Sequence, residues 1–243
     1  MQIFIDDTYE AASKRAADDI LSHFQSLSQP VLCVASGDSP KGLYKELSNR
    51  QSASLIDTSN WFFLGLDEWV GLGRNDEGSC RFMLNRDVFE PLGVQKEKIC
   101  CFDGTAKSND ECERIERFIK QRGGIDIALL GLGMNGHIGL NEPGTSPLLY
   151  SHLSVIDEVT KKVGQKYFSR PQTLSEGITL GLATLMQAKH LFLLASGEKK
   201  AAILQQALEG EITENIPASI VRAHPHFTVY ADKEAAGLLT NKS

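Results

Sequence analysis

Short apolar runs alternate with helix-period segments along this chain, and that alternation constrains the fold more than any other feature. The runs lie at residues 31–35, 61–66, 125–132, 191–195 and 227–230. They are rich in aliphatic and β-branched residues, and each is too short to make a typical helix, so each reads as a buried strand. Between them, 9–27, 79–89 and the strongly charged 109–122 carry helical periodicity. So does 198–208, which sets Ala202, Leu204 and Ala207 among polar residues. Strands that are apolar on both faces and separated by helices imply a mostly parallel sheet with helices on both sides, an α/β fold. With 243 residues and no internal repeat or linker, residues 1–243 are expected to form a single domain.

The bulk properties exclude several classes. A formal net charge of −6 argues against a general affinity for nucleic acid or an anionic membrane. No apolar stretch approaches the roughly 20 residues of a membrane span. The opening Gln2-Ile3-Phe4-Ile5-Asp6-Asp7 has no basic segment of a signal peptide. Five cysteines, an odd number with no C-x-x-C spacing, read as reduced thiols, and a cytoplasmic protein is expected.

Open α/β sheets bind ligands beyond the carboxyl ends of their strands. The segments that follow the strands here are Ser36-Gly37-Asp38-Ser39-Pro40, Asp67-Glu68, Gly133-Met134-Asn135-Gly136-His137 with Asn141-Glu142-Pro143, and Ser196-Gly197-Glu198-Lys199-Lys200. One edge thus gathers two turns able to bind an anion, several carboxylates and a histidine.

Each group has two readings. Ser39 suits a helix N-cap with Pro40 at the first helical position. The turn is then either an ordinary strand–helix connection or a phosphate site at a helix start. Asp38 would repel a phosphate, so it is expected to point away. Lys200, with Lys199 as its competitor, lies where a lysine opposes the helix dipole unless an anion is bound. Otherwise it is a solvated surface lysine. Asp67 is either a partly desolvated proton-transfer base or a carboxylate capping the next element. His137 with Glu142 is either a proton shuttle with its orienting partner or a structural histidine. The G-x-G-x-x-G at 131–136, with Asp157 some way downstream, matches the dinucleotide fingerprint. The fingerprint must open into a helix, however, and 137–145 holds Gly139, Pro143 and Gly144, so a shaped loop is expected there. No third ligand accompanies His224 and His226, and no metal site is expected. No G-x-S-x-G elbow of a serine hydrolase occurs.

Two stretches carry a resemblance. Leu66-Asp67-Glu68-Trp69-Val70-Gly71-Leu72 and the long run from Leu130 to Gly144 resemble the glucosamine-6-phosphate deaminase family, which includes galactosamine-6-phosphate isomerases. The related 6-phosphogluconolactonases share the glycine-rich core with its histidine but lack the Asn141-Glu142-Pro143 that follows. The resemblance implies a doubly wound, Rossmann-like α/β domain that needs no metal or organic cofactor. It implies conversion of a hexosamine 6-phosphate to a ketohexose 6-phosphate with release of ammonia. A sugar-lactone hydrolase and a non-catalytic sugar-phosphate sensor are the alternatives.

In that family Asp67 corresponds to the base at C2 and C1. His137 corresponds to the residue that opens the sugar ring, tuned by Glu142 and Asn135. Ser36, Gly37, Ser39 and Lys200 correspond to the phosphate site. Three positions depart from the pattern: Asn135 where some members carry Asp, Asp38 where glycine or alanine is usual, and Lys166 where a phosphate-binding Arg is placed. Lysine neutralises phosphate without arginine's bidentate fork. Trp69 and residues 176–182 resemble the galactosamine type, so galactosamine 6-phosphate is the expected substrate and glucosamine 6-phosphate the next. The chain is short at its carboxyl end compared with hexameric allosteric members, so a non-allosteric monomer or small homo-oligomer is expected.

Overall fold

Alternation within each strand run builds two cores at once. Val31, Cys33 and Ala35 pack on one side of the sheet, while Leu32 and Val34 pack on the other. Ala128, Leu130 and Leu132 are likewise set against Ile127 and Leu129, and Leu191, Leu193 and Ala195 against Phe192 and Leu194. Period-two geometry sends neighbours to opposite faces, so a wholly apolar strand needs cover on both. A computed structural model describes residues 1–240 and shows that cover.

The strands are β1 (Gln2–Asp6), β2 (Val31–Val34), β3 (Phe62–Gly65), β4 (Asp67–Trp69), β5 (Ile99–Cys100), β6 (Ile127–Gly131), β7 (His152–Val155), β8 (Glu176–Thr179), β9 (His190–Ala195) and β10 (Phe227–Asp232). The helices are α1 (Tyr9–Phe24), α2 (Lys41–Ser52), α3 (Cys80–Leu84), α4 (Ser108–Gln121), α5 (Glu158–Gly164), α6 (Leu182–Leu185), α7 (Ala201–Glu209) and α8 (Pro217–Val221). Seven strands form a parallel sheet in the order β1-β10-β9-β6-β2-β3-β5. Helices α1, α2 and α3 cover one face, and α4, α6, α7 and α8 cover the other. The chain runs outward from β2 through β3 to β5 and then returns to β6 on the far side of β2. That reversal opens a crevice between the carboxyl ends of β2 and β6. The single-domain doubly wound α/β reading holds.

All five expected strands lie in this sheet. The edge strands β1 and β5 are additions, as is a second, antiparallel sheet β4-β8-β7. Those strands are short, and β7 is half exposed, so no long apolar run marks them. The helical segment expected at 79–89 winds as α3 and then widens into a π-turn at Asn85–Phe89, where the Glu90 N–H reaches back to the Asn85 carbonyl. The expectation that Ser39 caps α2 with Pro40 in its first turn is corrected. Pro40 itself is the cap residue, and no side chain caps this end.

The opposite, amino edge of the sheet gathers four histidines. His190 opens β9, with its ring centroid 4.1 Å from that of His23 and 5.1 Å from that of His226. His224 Nε2 lies 2.8 Å from the Ala188 carbonyl oxygen. Partial burial, and then the charges of His23, His226 and His224, press the His190 pKa down to about 4, against the opposing pull of Asp126. In the unfolded chain this ring takes up a proton near pH 6.5, while in the fold it resists until about 4. Its contribution to stability is therefore complete above pH 6.5 and is lost as pH falls towards 4. His190 is partly exposed and solvent screens it, so roughly 1 kcal/mol is expected, or about 2–4 °C in Tm for a chain of this size. Between pH 7.5 and 5.0 the wild type should lose that much more than His190→Gln in thermal unfolding. An equal fall in both would remove the cluster from the acid response.

Candidate active site

The crevice at the sheet's carboxyl edge is a cleft of about 1000 Å³, ample for a phosphorylated sugar. Ser36, Gly37, Ser39, Asp67, His137, Lys166 and Lys200 all line it. Asn135 and Glu142 lie behind His137 rather than on the wall. The cleft thus brings the 36–39 turn, Lys166 and Lys200 together with Asp67 and His137.

The turn after β2 is bent by Gly37, whose φ of +95° suits glycine. A Cβ there would also come within 3.0 Å of the Tyr167 hydroxyl. The first amides of α2 are already occupied. The Lys41 N–H donates to the Asp38 carbonyl, and the Gly42 N–H donates to the Tyr9 hydroxyl at 2.6 Å. Freed from capping, Ser39 sits instead beside Gly131 on the cleft wall. The turn after β9 is committed as well: the Ser196 hydroxyl and the Gly197 N–H both donate to Asp232. An anion would therefore rely on Lys200 and the 36–39 turn more than on either helix start.

Lys200 Nζ donates to the Leu132 carbonyl at 2.5 Å, and among the described residues it forms no ion pair with a carboxylate. Burial, and then the charge of Lys166, push its pKa down to about 8. A bound phosphate would remove that penalty. Lys199, its competitor in sequence, also borders the cleft, but nothing ties it to Leu132. Asp38 borders the cleft. Its carboxylate is clamped between Lys41 at 2.7 Å and Lys166 at 2.5 Å. Two lysines answer the repulsion that turning away was expected to avoid.

Asp67 stands at the seam of the two sheets, following β3 and opening β4. Burial raises its pKa to about 6, against the Cys80 thiol bonded to it and the charge of His137. The capping task falls to its neighbour. Glu68 accepts the N–H groups of Trp69, Cys80 and Arg81, each at 2.8 Å, and so closes the start of α3 together with Ser79. Asp67 is left without a backbone partner among those described.

The 131–137 segment is a tight loop, as its glycines imply, and not the opening of a helix. The Gly133 N–H meets the His137 carbonyl, and the Gly136 N–H meets that of Gly133. The His137 N–H donates to Asn135 Oδ1 at 3.2 Å. Asn141, fully buried, donates from Nδ2 to the carbonyls of Ile138 and Leu180 and so ties the loop to the second sheet. Asn135 Nδ2 donates to Glu142 Oε2 at 2.9 Å and to Asp157 Oδ1 at 3.2 Å. His137 Nδ1 is 3.5 Å from Glu142 Oε2 but only 2.9 Å from the Thr160 hydroxyl. Thr160 has no part in the sequence reading, and Asp157 enters it only as the acid downstream of the glycine fingerprint. Asp157 N-caps α5, accepting the Val159 N–H. An acid followed by a short helical stretch is the signal that could have found it.

Comparison with known proteins gives the family and bears out the fold. The family described as glucosamine-6-phosphate isomerases/6-phosphogluconolactonase matches residues 6–230. A glucosamine-6-phosphate deaminase of Shouchella clausii is 38% identical over 250 residues, spanning 100% of this chain and 99% of that one. One from Thermoanaerobacter pseudethanolicus is 34% identical, spanning 100% and 96%. The solved structure of a monomeric glucosamine-6-phosphate deaminase superposes with a TM-score of 0.94 at 34% identity, covering 98% of this chain and 100% of the other. The 6-phosphogluconolactonase of Trypanosoma brucei, at 19% identity and a TM-score of 0.76, shares the fold.

Proposed function

This chain belongs to the glucosamine-6-phosphate isomerase/6-phosphogluconolactonase family and is an enzyme, and we propose that it converts a hexosamine 6-phosphate and water to a ketohexose 6-phosphate and ammonia. One observation carries the reading. Asp67 is buried, has a raised pKa and is uncommitted to any cap, and it faces the same cleft as Lys200, a half-buried ammonium paired with no carboxylate among the described residues. A lactone hydrolysis would leave such a base without a carbon acid to deprotonate.

In this reading Lys200, the hydroxyls of Ser36 and Ser39 and the backbone at Gly37 grip the phosphate. Lys166 joins them by exchanging Asp38 for substrate. His137 moves the ring-oxygen proton as the sugar opens, with Asn135 and Glu142 behind it. Asp67 takes the proton from C2 to give an enolamine and returns it to C1. Water then adds at C2, and ammonia leaves. Of the two epimers we place glucosamine 6-phosphate first, since the relatives at 34–38% identity bear that name. The galactosamine preference expected from Trp69 and residues 176–182 finds no support among them. The substrate's phosphate and the five free cysteines support a cytoplasmic setting, and the monomeric relative supports a monomer or small homo-oligomer.

The test is ammonia release by the purified protein from glucosamine 6-phosphate and galactosamine 6-phosphate side by side, with 6-phosphogluconolactone as control. Ammonia from either amino sugar is the expected result, and the ratio of efficiencies names the epimer. Lactone opening without ammonia would move the enzyme to the hydrolase branch.

A further inference from the structure

We propose that Thr160 is a positioning residue for His137: its hydroxyl holds the ring in the tautomer that carries the proton on Nδ1 and leaves the lone pair of Nε2 free. The inference rests on the shuttle role proposed for His137, and no comparison assigns Thr160 a part in it.

The donors around the ring can be counted. Glu142 as a carboxylate only accepts. Its Oε2 receives Asn135 Nδ2 at 2.9 Å and the Thr160 hydroxyl at 3.1 Å. The Asn135 amide has two protons, and the shorter contacts, to Glu142 and Asp157, take them ahead of a third to the Thr160 hydroxyl oxygen at 3.5 Å. Thr160 has one hydroxyl proton. If that proton points to Glu142, the oxygen's lone pairs face His137 Nδ1 at 2.9 Å and can only accept. Nδ1 must then carry the hydrogen, and in a neutral imidazole the other nitrogen is the base. The contact of Glu142 with the ring, at 3.5 Å, is too long for a good hydrogen bond. Glu142 therefore acts on His137 through Thr160.

The surroundings fix this arrangement. Thr160 is only 5% exposed and β-branched, so its rotamer is restricted. It rides on α5, whose N-cap Asp157 also holds Asn135, so helix and loop are joined at two points. Gly133 leaves the space in which the ring lies, since a side chain there would overlap it.

The variants are Thr160→Val, which keeps the shape and removes the hydroxyl, and Thr160→Ser, which restores it. The first readout needs no turnover. Nitrogen-15 spectra of histidine-labelled protein report the tautomer of His137, assigned by subtraction with His137→Gln. The wild type and Thr160→Ser should show the Nδ1–H form, and Thr160→Val should shift towards Nε2–H. The second readout is kinetic, with glucosamine 6-phosphate as substrate. Thr160→Val should lower kcat roughly 10- to 100-fold with KM nearly unchanged, less than a fully misplaced tautomer costs because Glu142 stays. Thr160→Ser should recover most of the loss. A Thr160→Val protein that keeps the Nδ1–H signal overturns the proposal, as does a Ser variant as impaired as Val. Should the wild type release no ammonia at all, the proposed reaction fails, while the spectra still judge the hold of Thr160 on the ring.

Discussion

Asp67→Asn is expected to lower ammonia release by at least about 10²- to 10⁴-fold, the worth of a positioned general base. The amide keeps the shape of the carboxyl but cannot take the C2 proton. Phosphate binding should be nearly untouched, because Lys200 and the 36–39 turn follow other strands, β9 and β2. KM, or the Kd of an unreactive sugar phosphate, should thus stay within a few-fold of wild type. The pH profile provides a second check. Burial raises the Asp67 pKa to about 6, and the base works only when ionised. The wild-type rate should therefore fall as pH drops through about 6. That acid limb should be missing from whatever activity the variant retains. Near-normal turnover in Asp67→Asn would take the residue out of the chemistry.

Gly133→Ala is expected to cost about 10²-fold in turnover, the scale of misplacing a reacting group by about 1 Å. A Cβ at 133 would sit 2.5 Å from Cδ2 and Cε1 of the His137 ring. A ring is rigid, and Thr160 and Glu142 hold its Nδ1 edge, so either the ring leaves its place or the loop opens. Stability should fall by about 1–3 kcal/mol, as for other overpacked sites, and thermal unfolding measures that separately from rate. Wild-type kinetics in this variant would mean that the position of His137 is not critical to the reaction.

What could be read from the chain, and what could not, follows from the range of the interactions. The five central strands announce themselves because burial on both faces forces unbroken apolar runs such as Leu191-Phe192-Leu193-Leu194. The cleft residues follow directly, since each lies just past a strand end. The second sheet does not announce itself. Its register pairs Glu68 with Ile178 and Leu153 with Ile178, contacts between segments far apart in sequence and too short to carry a period. Ser39 illustrates a local rule overruled: its residue type and the following proline suggest a cap, but Tyr9 from α1 already meets the Gly42 amide. Thr160 carries no chemical signature of its own. Its place depends on the N-cap Asp157, on Asn135 and on a ring brought there by a different loop.

The amide at 135 has a consequence for how sequences of this kind can drift. Its two N–H groups stand between the carboxylates of Glu142 and Asp157 and keep them apart in charge as well as in space. An aspartate at 135 would put three acids in contact, and one of them would have to stay protonated. Losing Asp157 first would strand an amide proton and uncap α5. Neither step is neutral alone, so positions 135 and 157 should be inherited as a pair, the acid at one accompanied by an uncharged hydrogen-bonding residue at the other.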